Sequence, residues 1–383
     1  MNTAHYDVIV AGVGSMGSAA CYHLAKRGLR TLGLERFDIP HTMGSHHGFT
    51  RIIRLAYYEH PSYVPLLRRA FTLWNQLETE FGETLLHVTG SIDASGADEV
   101  VFAASLASCI EHDIRHEVLT GDELNNRFPG YRLPSTHRAV LQPDGGFLVP
   151  EACVTAQALG AVAAGAEIHA REGIVAWSAG EDGVRVETDR GTVYTADQLV
   201  LATGAWMGKL IDGFAPLAIP ERQVLGWFQP LLPDRYLPST FPVFNLLVEE
   251  GRYYGFPVHG VPGFKIGRYH HLEEIVDPDT MDRDPNARDE AVLREVVDRY
   301  FPSASGPTVG LRACMFTNTP DEHFVIDRHP LHQNVVLASP CSGHGFKFAS
   351  VVGEIIADLV ERDEVELDIS LLRMSPDRFT LAG

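Results

Sequence analysis

Between a short apolar run and a helix-forming stretch near the start of the chain lies Gly12-Val-Gly14-Ser-Met-Gly17, and this placement limits the fold more than any other feature. Tyr6-Asp-Val-Ile-Val10 reads as a buried strand, residues 15–27 as a helix that Gly28 ends, and Thr31-Leu-Gly-Leu-Glu35 as a second strand. A unit of this kind opens a doubly wound α/β domain. Glycine lets the turn close and lets backbone N–H groups approach a pyrophosphate at the helix N-terminus. Glu35 ends the second strand where a carboxylate can take ribose hydroxyls, which disfavours NADP. The loop points to a dinucleotide and leaves NAD and FAD both open.

At 383 residues the chain has room for two domains with cores of their own. No apolar run approaches the ~20 residues a membrane span needs. The N-terminal run leads straight into the glycine loop, so it reads as a strand and not as a signal peptide. A net charge of −19 argues against nucleic acid or an anionic membrane as partner, because phosphate binding needs a basic face. The five cysteines (Cys21, Cys109, Cys153, Cys314, Cys341) are scattered, with no C-x-x-C pair. Neither a disulfide framework nor a metal site is expected, and a reducing cytoplasm fits.

Further along, residues 61–81 read as an amphipathic helix with Val64, Leu67, Phe71, Trp74 and Leu77 on one face. A mixed stretch from 84 closes at the turn cluster Pro143-Asp-Gly-Gly-Phe-Leu-Val-Pro150. Then α/β character returns: a helix near 152–164, a strand at 167–170, two strands at 184–188 and 192–195 joined at Arg190-Gly191, and another from Gln198 into Ala202-Thr-Gly204. Residues 216–320 are mixed again. Asn334-Val-Val-Leu-Ala338, a second glycine loop Ser342-Gly-His-Gly-Phe-Lys347 and a helix over 345–361 complete one more strand–loop–helix unit. The expected architecture is a two-domain α/β protein. A Rossmann-like nucleotide domain takes 1–83, 151–215 and 321–383, and an α+β domain with a mixed or antiparallel sheet takes 84–150 and 216–320. The second glycine loop favours flavin over nicotinamide. A helix N-terminus carries partial positive charge and suits the N1–C2=O edge of a reduced flavin ring.

Longer motifs carry a resemblance. Pro40-His-Thr-x-Gly44-Ser-His-His47-Gly-x-Thr-Arg51-Ile-Ile-Arg54, Tyr253-Tyr254-Gly-Phe-Pro257, Lys265-Ile-Gly267, Asp277-Pro-Asp-Thr280, Cys314-Met-Phe-Thr-Asn-Thr319, Asp321-Glu-His-Phe-Val-Ile-Asp327 and the second glycine loop occur in the order and spacing of one family. Over essentially its whole length the chain resembles the monomeric sarcosine oxidase and N-methyltryptophan oxidase family of covalent-FAD amine oxidases. The resemblance implies a two-domain flavoprotein holding FAD through a thioether on Cys314. It places Gly12, Gly14, Ser15, Met16, Gly17, Glu35, Arg36, Ser45, His46, Arg51, Gly343, Gly345, Phe346 and Lys347 around the cofactor. Read alone, His46, His60 and His332 are ordinary surface histidines.

The resemblance further implies that Arg54 and Lys347 clamp a substrate carboxylate, one as a bidentate fork and the other as a point charge. Lys265 would be the inward cation that assists O₂ reduction, and His47 and Arg51 would lie near the flavin on the other face. Tyr254, His270 and Asn245 would line the substrate pocket. One extra residue near Arg268 leaves Tyr269 as an alternative to His270. Phe49, Phe316, Asn245 and Leu247 depart from the family pattern and put the substrate's side-chain preference in question. The expected enzyme is a cytoplasmic monomer that oxidises sarcosine or a similar secondary amino acid with O₂, giving an imine and H₂O₂. N-methyltryptophan, pipecolate or a fructosyl amino acid are alternative substrates. An NAD-dependent dehydrogenase is the reading that the first loop alone allows.

Overall fold

Two eight-stranded sheets and a small three-stranded one frame the molecule. The computed structural model describes residues 5–338, 341–362, 364–375 and 378–379; the outer ends of the first expected domain, 1–4 and 380–383, lie outside them. In the first sheet His5–Ala11 is central, parallel to Thr31–Leu34 on one side and to Val193–Leu201 on the other. Thr31–Leu34 continues to Glu167–His169. His5–Ala11, Thr31–Leu34 and the end of Val193–Leu201 are apolar because both faces are covered there, as a parallel sheet requires. Ser15–Lys26 packs against Pro150–Ala163 and Ala349–Glu361 on one face. Helix Tyr63–Phe81 buries Val64, Leu67, Trp74 and Leu77 as its periodicity predicts.

The strands expected at 192–195 and from 198 onward are one strand, Val193–Leu201. Its free edge serves two partners in turn, Gly183–Thr188 along the first half and His332–Ala338 along the second. Ile174–Gly180, a largely exposed edge strand, went unexpected because little of it alternates toward a core. The final α-helix proper is Ala349–Glu361, and a 3₁₀ turn, Phe346–Phe348, precedes it.

The second sheet runs Thr308–Asn318, Ile219–Phe228, Phe264–Arg268, Gly251–Phe256, Val243–Val248, Ser91–Gly96, His137–Gln142, Glu117–Thr120. All neighbours are antiparallel except Val243–Val248 with Ser91–Gly96, so the sheet is mixed. One face buries Phe244, Phe264, Leu246 and Ile266 in a core shared with Tyr131, Phe241, Leu293 and Phe301. The alternate positions face the other way. Along one row the register aligns Asp93, Asn245, Tyr254, Gly267 and Leu225. Gly267 is small for a reason: a Cβ there would lie 2.6 Å from the Tyr254 hydroxyl.

The cluster at 143–150 is more than a turn. Gly146–Leu148 is the middle strand between Arg51–Ile53 and Leu86–Val88. Pairing of Arg51 with Leu148 fixes the segment that carries Arg51 and Arg54. Among the described residues no helix is long and apolar enough to cross a membrane.

Candidate active site

A single cavity runs from the first glycine loop, beneath the second, to the open row of the mixed sheet. At its near end Gly12 adopts φ +87°, and a Cβ there would lie 2.6 Å from the Ala202 carbonyl oxygen. Gly17 does not border the cavity. A Cβ on it would stand 1.7 Å from the Gly12 carbonyl oxygen, so its part is to let the helix start close beneath the loop. The buried Glu35 carboxylate accepts N–H bonds from Val13 (2.8 Å) and Phe37 (2.9 Å) and still faces the cavity.

Of the residues expected at the site, Gly12, Gly14, Ser15, Met16, Glu35, Arg36, Ser45, His46, Arg51, Arg54, Asn245, Tyr254, Cys314, Gly343, Gly345, Phe346 and Lys347 border this one cavity. His47 and Lys265 stand just behind its wall. His46 is buried, not a surface histidine, and packs edge-on against His41 at 4.9 Å. Its Nε2 and both ring nitrogens of His47 have no hydrogen-bond partner among the described residues. Burial keeps both rings neutral: it drives the His46 pKa far down and His47 to about 3, with Arg51 adding to the effect. Unmet buried polar atoms are costly. Beside a glycine-lined cavity they fit a bound cofactor rich in nitrogen and oxygen.

Arg51 ties the 45–50 loop together. It donates to the carbonyls of Ser45 (2.8 Å), His47 and Thr50 (2.9 Å), and it lies 3.7 Å from Cys314 Sγ. Lys265 Nζ is buried and donates to the Gly48 carbonyl (2.7 Å), the Thr50 carbonyl (2.8 Å) and Thr50 Oγ1 (2.9 Å). The Phe256 ring lies 4.3 Å from it. Burial, together with the Arg51 charge, pushes the Lys265 pKa well below the lysine range, while three acceptors and a ring face favour the ammonium form.

At the far end Arg54 is almost wholly buried. Its guanidinium donates to both Glu59 oxygens (3.0 and 2.8 Å) and to the Ala56 carbonyl, and its Nε lies 3.6 Å from Asp93. Burial opposes the Glu59 charge, but Arg54, with His344 and Lys347 behind it, holds its pKa at about 2. Asp93 accepts from Ser105 (2.6 Å) and Asn245 (2.7 Å). Burial raises its pKa against the pull of Arg54. Lys347 Nζ donates to the His344 carbonyl (2.6 Å), and burial lowers its pKa to about 7 against the pull of Glu59. Glu59 and Asp93 were absent from the expected site. Sequence gave no signal for Asp93, which reaches Arg54 only through strand register.

His270, expected in the substrate pocket, does not border the cavity, and Tyr269 does. The backbone at His270 is left-handed (φ 55°). Its ring is held between Glu221 (2.7 Å) and Glu322 (3.0 Å), which raise its pKa to about 9. Tyr269 instead donates its hydroxyl to the Ser342 carbonyl and packs on Phe316 at 4.9 Å.

Comparison with known proteins agrees with this geometry. The family model for FAD dependent oxidoreductase matches residues 7–359. The monomeric sarcosine oxidase of Bacillus sp. (strain B-0618) is 42% identical over 97% of this chain and 96% of its own. The N-methyl-L-tryptophan oxidase of Citrobacter koseri is 35% identical over 98% of this chain and 99% of its own. The solved structure of NikD, an unusual amino acid oxidase essential for nikkomycin biosynthesis, superposes with a TM-score of 0.84 at 27% identity, covering 97% of this chain and 98% of that one. The first glycine loop alone left NAD open, and the family match sets the cofactor as FAD. The chain is an FAD-dependent oxidoreductase and belongs to the family of the monomeric sarcosine oxidases and N-methyltryptophan oxidases.

Proposed function

We propose that the enzyme oxidises small secondary amino acids with O₂, sarcosine being the first candidate, with N-methyltryptophan, pipecolate and fructosyl amino acids behind it. One observation carries this reading: two buried cations, Arg54 and Lys347, border the same cavity as Cys314. FAD, when bound, supplies the electron sink, taking a hydride equivalent from the C–H bond beside nitrogen and returning two electrons to O₂ as H₂O₂. The imine product hydrolyses in water to an amine and an aldehyde. The residues bind and orient. Lys347 offers a point charge to the carboxylate, and Arg54, its fork held by Glu59 and the Ala56 carbonyl, adds its charge on the same side, which sets the amine toward the Cys314 side of the cavity. Tyr254 and Asn245 line the same cavity. Relatives named monomeric and the scattered cysteines support a cytoplasmic monomer in this reading. Release of H₂O₂ from a panel of N-methyl and cyclic amino acids is the test, and silence toward all of them sinks the proposal.

Cys314 serves as the covalent anchor. Its thiol is buried on the cavity wall, 3.6 Å from the Ser45 carbonyl. Cys314 would hold the flavin through a thioether to its 8α-methyl carbon, the attachment giving up two protons and two electrons, with O₂ as the final oxidant. Acid-precipitated protein should keep its yellow colour in the pellet, and Cys314→Ser should release it to the supernatant. Colour lost equally from both forms would argue against the anchor.

The titration of Lys347 sets a pH dependence. Its pKa of about 7 leaves it charged below neutrality and neutral above. A simple carboxylate ligand without an amine, followed by the flavin spectrum, should bind with constant affinity below about pH 7. Above that its Kd should rise by up to about tenfold per pH unit. Lys347→Met should bind weakly with no such slope, and a slope that survives in Lys347→Met assigns it to another group.

A further inference from the structure

A carboxylate that does not border the cavity grips the loop that Lys265 holds from the other side. Glu151 Oε1 accepts the N–H groups of Gly48 (2.7 Å) and Phe49 (3.1 Å). The backbone is left-handed at both residues, φ 109° at Gly48 and 69° at Phe49. Such a turn gathers successive N–H groups into a concavity that takes an anion. A left-handed phenylalanine is strained, so the turn needs an anchor from outside the loop.

The Gly48 carbonyl and the Phe49 N–H belong to one peptide group, and in a trans peptide they point opposite ways. Lys265 Nζ donates to that carbonyl at 2.7 Å, while Glu151 accepts from that N–H. An ammonium on one end and a carboxylate on the other polarise the amide in the same sense, so each strengthens the other's bond. Glu151 stands in the first turn of helix Pro150–Ala163, where negative charge is favoured. Its Oε2 is buried with no hydrogen-bond partner among the described residues. The other titratable groups that face Lys265 do not support its charge. Arg51 opposes it, burial keeps His47 neutral, and Cys314 is uncharged once it is a thioether. Glu151 acts the other way and favours the ammonium.

We propose that Glu151 is a positioning residue for the reduction of O₂: through the Gly48–Phe49 peptide its carboxylate holds Lys265 in place as an ammonium. This rests on the role given to Lys265 in the oxidase reading, and the first measurement below does not depend on that role.

The chain has four lysines, Lys26, Lys209, Lys265 and Lys347, so each can be followed by NMR in holoenzyme carrying carbon-13-labelled lysine. Lys265→Met identifies the Lys265 signal by its loss. Glu151→Gln keeps an oxygen for both N–H groups and removes the charge. In that enzyme Lys265 should lose its proton about one pH unit lower than in wild type. Photoreduced flavin, which needs no substrate, is then reoxidised with O₂ across the same pH range. Wild type and Glu151→Gln should agree at low pH, where Lys265 is charged in both, and differ by about tenfold above the wild-type midpoint. An unmoved midpoint, or a Lys265 charged in both enzymes over the whole stable range, overturns the inference. So does reoxidation slowed by one factor at every pH, the mark of a loop merely loosened. If wild-type reduced flavin reacts with O₂ no faster than free flavin, the oxidase reading itself fails. Glu151 is then judged on the NMR titration, where a lowered midpoint supports its hold on Lys265 and an unmoved one overturns it. If Glu151→Gln does not fold, Glu151→Asp replaces it. The charge is then drawn back by one bond, so a smaller downward shift is expected, and no shift overturns the inference.

Discussion

In a Lys265→Met enzyme, reoxidation of the reduced flavin by O₂ is expected to slow by about 100-fold or more. Anaerobic reduction by substrate should stay within about tenfold of wild type. The reason lies in where charge develops. O₂ becomes an anion on its first electron, and a fixed cation in a dry pocket stabilises that anion without having to reorganise. The surroundings of Lys265 suit this proposed role. It is buried, its Nζ is pinned by the Gly48 and Thr50 oxygens, and its apolar neighbours exclude water. Methionine keeps the length and removes the charge. Because burial already pushes the Lys265 pKa well down, the rate with O₂ should also fall as pH rises and the ammonium is lost. Stopped-flow measurement of the two half-reactions decides the matter. Slowed reduction with untouched reoxidation would place Lys265 in substrate binding instead.

Arg54→Ala is expected to cost the enzyme twice. Apparent affinity for carboxylate substrates should fall by about 10- to 100-fold, as one charge-assisted contact is lost. Stability should fall by about 3–5 kcal/mol, because Glu59 and Asp93 both stay buried without their cation. The two losses separate in the double variant Arg54→Ala/Asp93→Asn. An amide at 93 can still meet Ser105 and Asn245, so the melting temperature should recover in part, Glu59 still lacking its cation, while substrate affinity stays low. The sign of the pH effect follows from burial. Without Arg54 the Asp93 pKa rises further, so the folded state holds a proton that the unfolded chain releases near pH 4. The stability deficit of Arg54→Ala should therefore grow as pH rises above about 4. A double variant no more stable than Arg54→Ala would show that Asp93 is not what Arg54 neutralises.

Much of this was legible from contiguous residues. The first strand, its glycine loop, the helix and Glu35 form a local unit whose backbone demands are written in Gly12 and Gly17 themselves. Helix Tyr63–Phe81 declared its buried face by period. Long motifs around Arg51, Lys265, Cys314 and Lys347 brought their residues forward together, and most of them border one cavity. Where local reading failed, the missing information was pairing. Strand Val193–Leu201 stays continuous because two different strands share its edge. Gly146–Leu148 is a strand only because residues 51–53 and 86–88 flank it.

The polar interior of the pocket belongs to the same class. Asp93 lies beneath Arg54, and Asn245 lies on Asp93, because three separate segments meet at the site and no period or motif links them. A one-residue change of direction after Arg268, settled by a left-handed His270, puts Tyr269 on the cavity and turns His270 to Glu221 and Glu322. Cofactor class and reaction type are carried by short stretches whose backbone and side chains act locally. Side-chain charge balance and pocket shape depend on contacts between residues far apart in the chain, and they exist only once the sheets have aligned them.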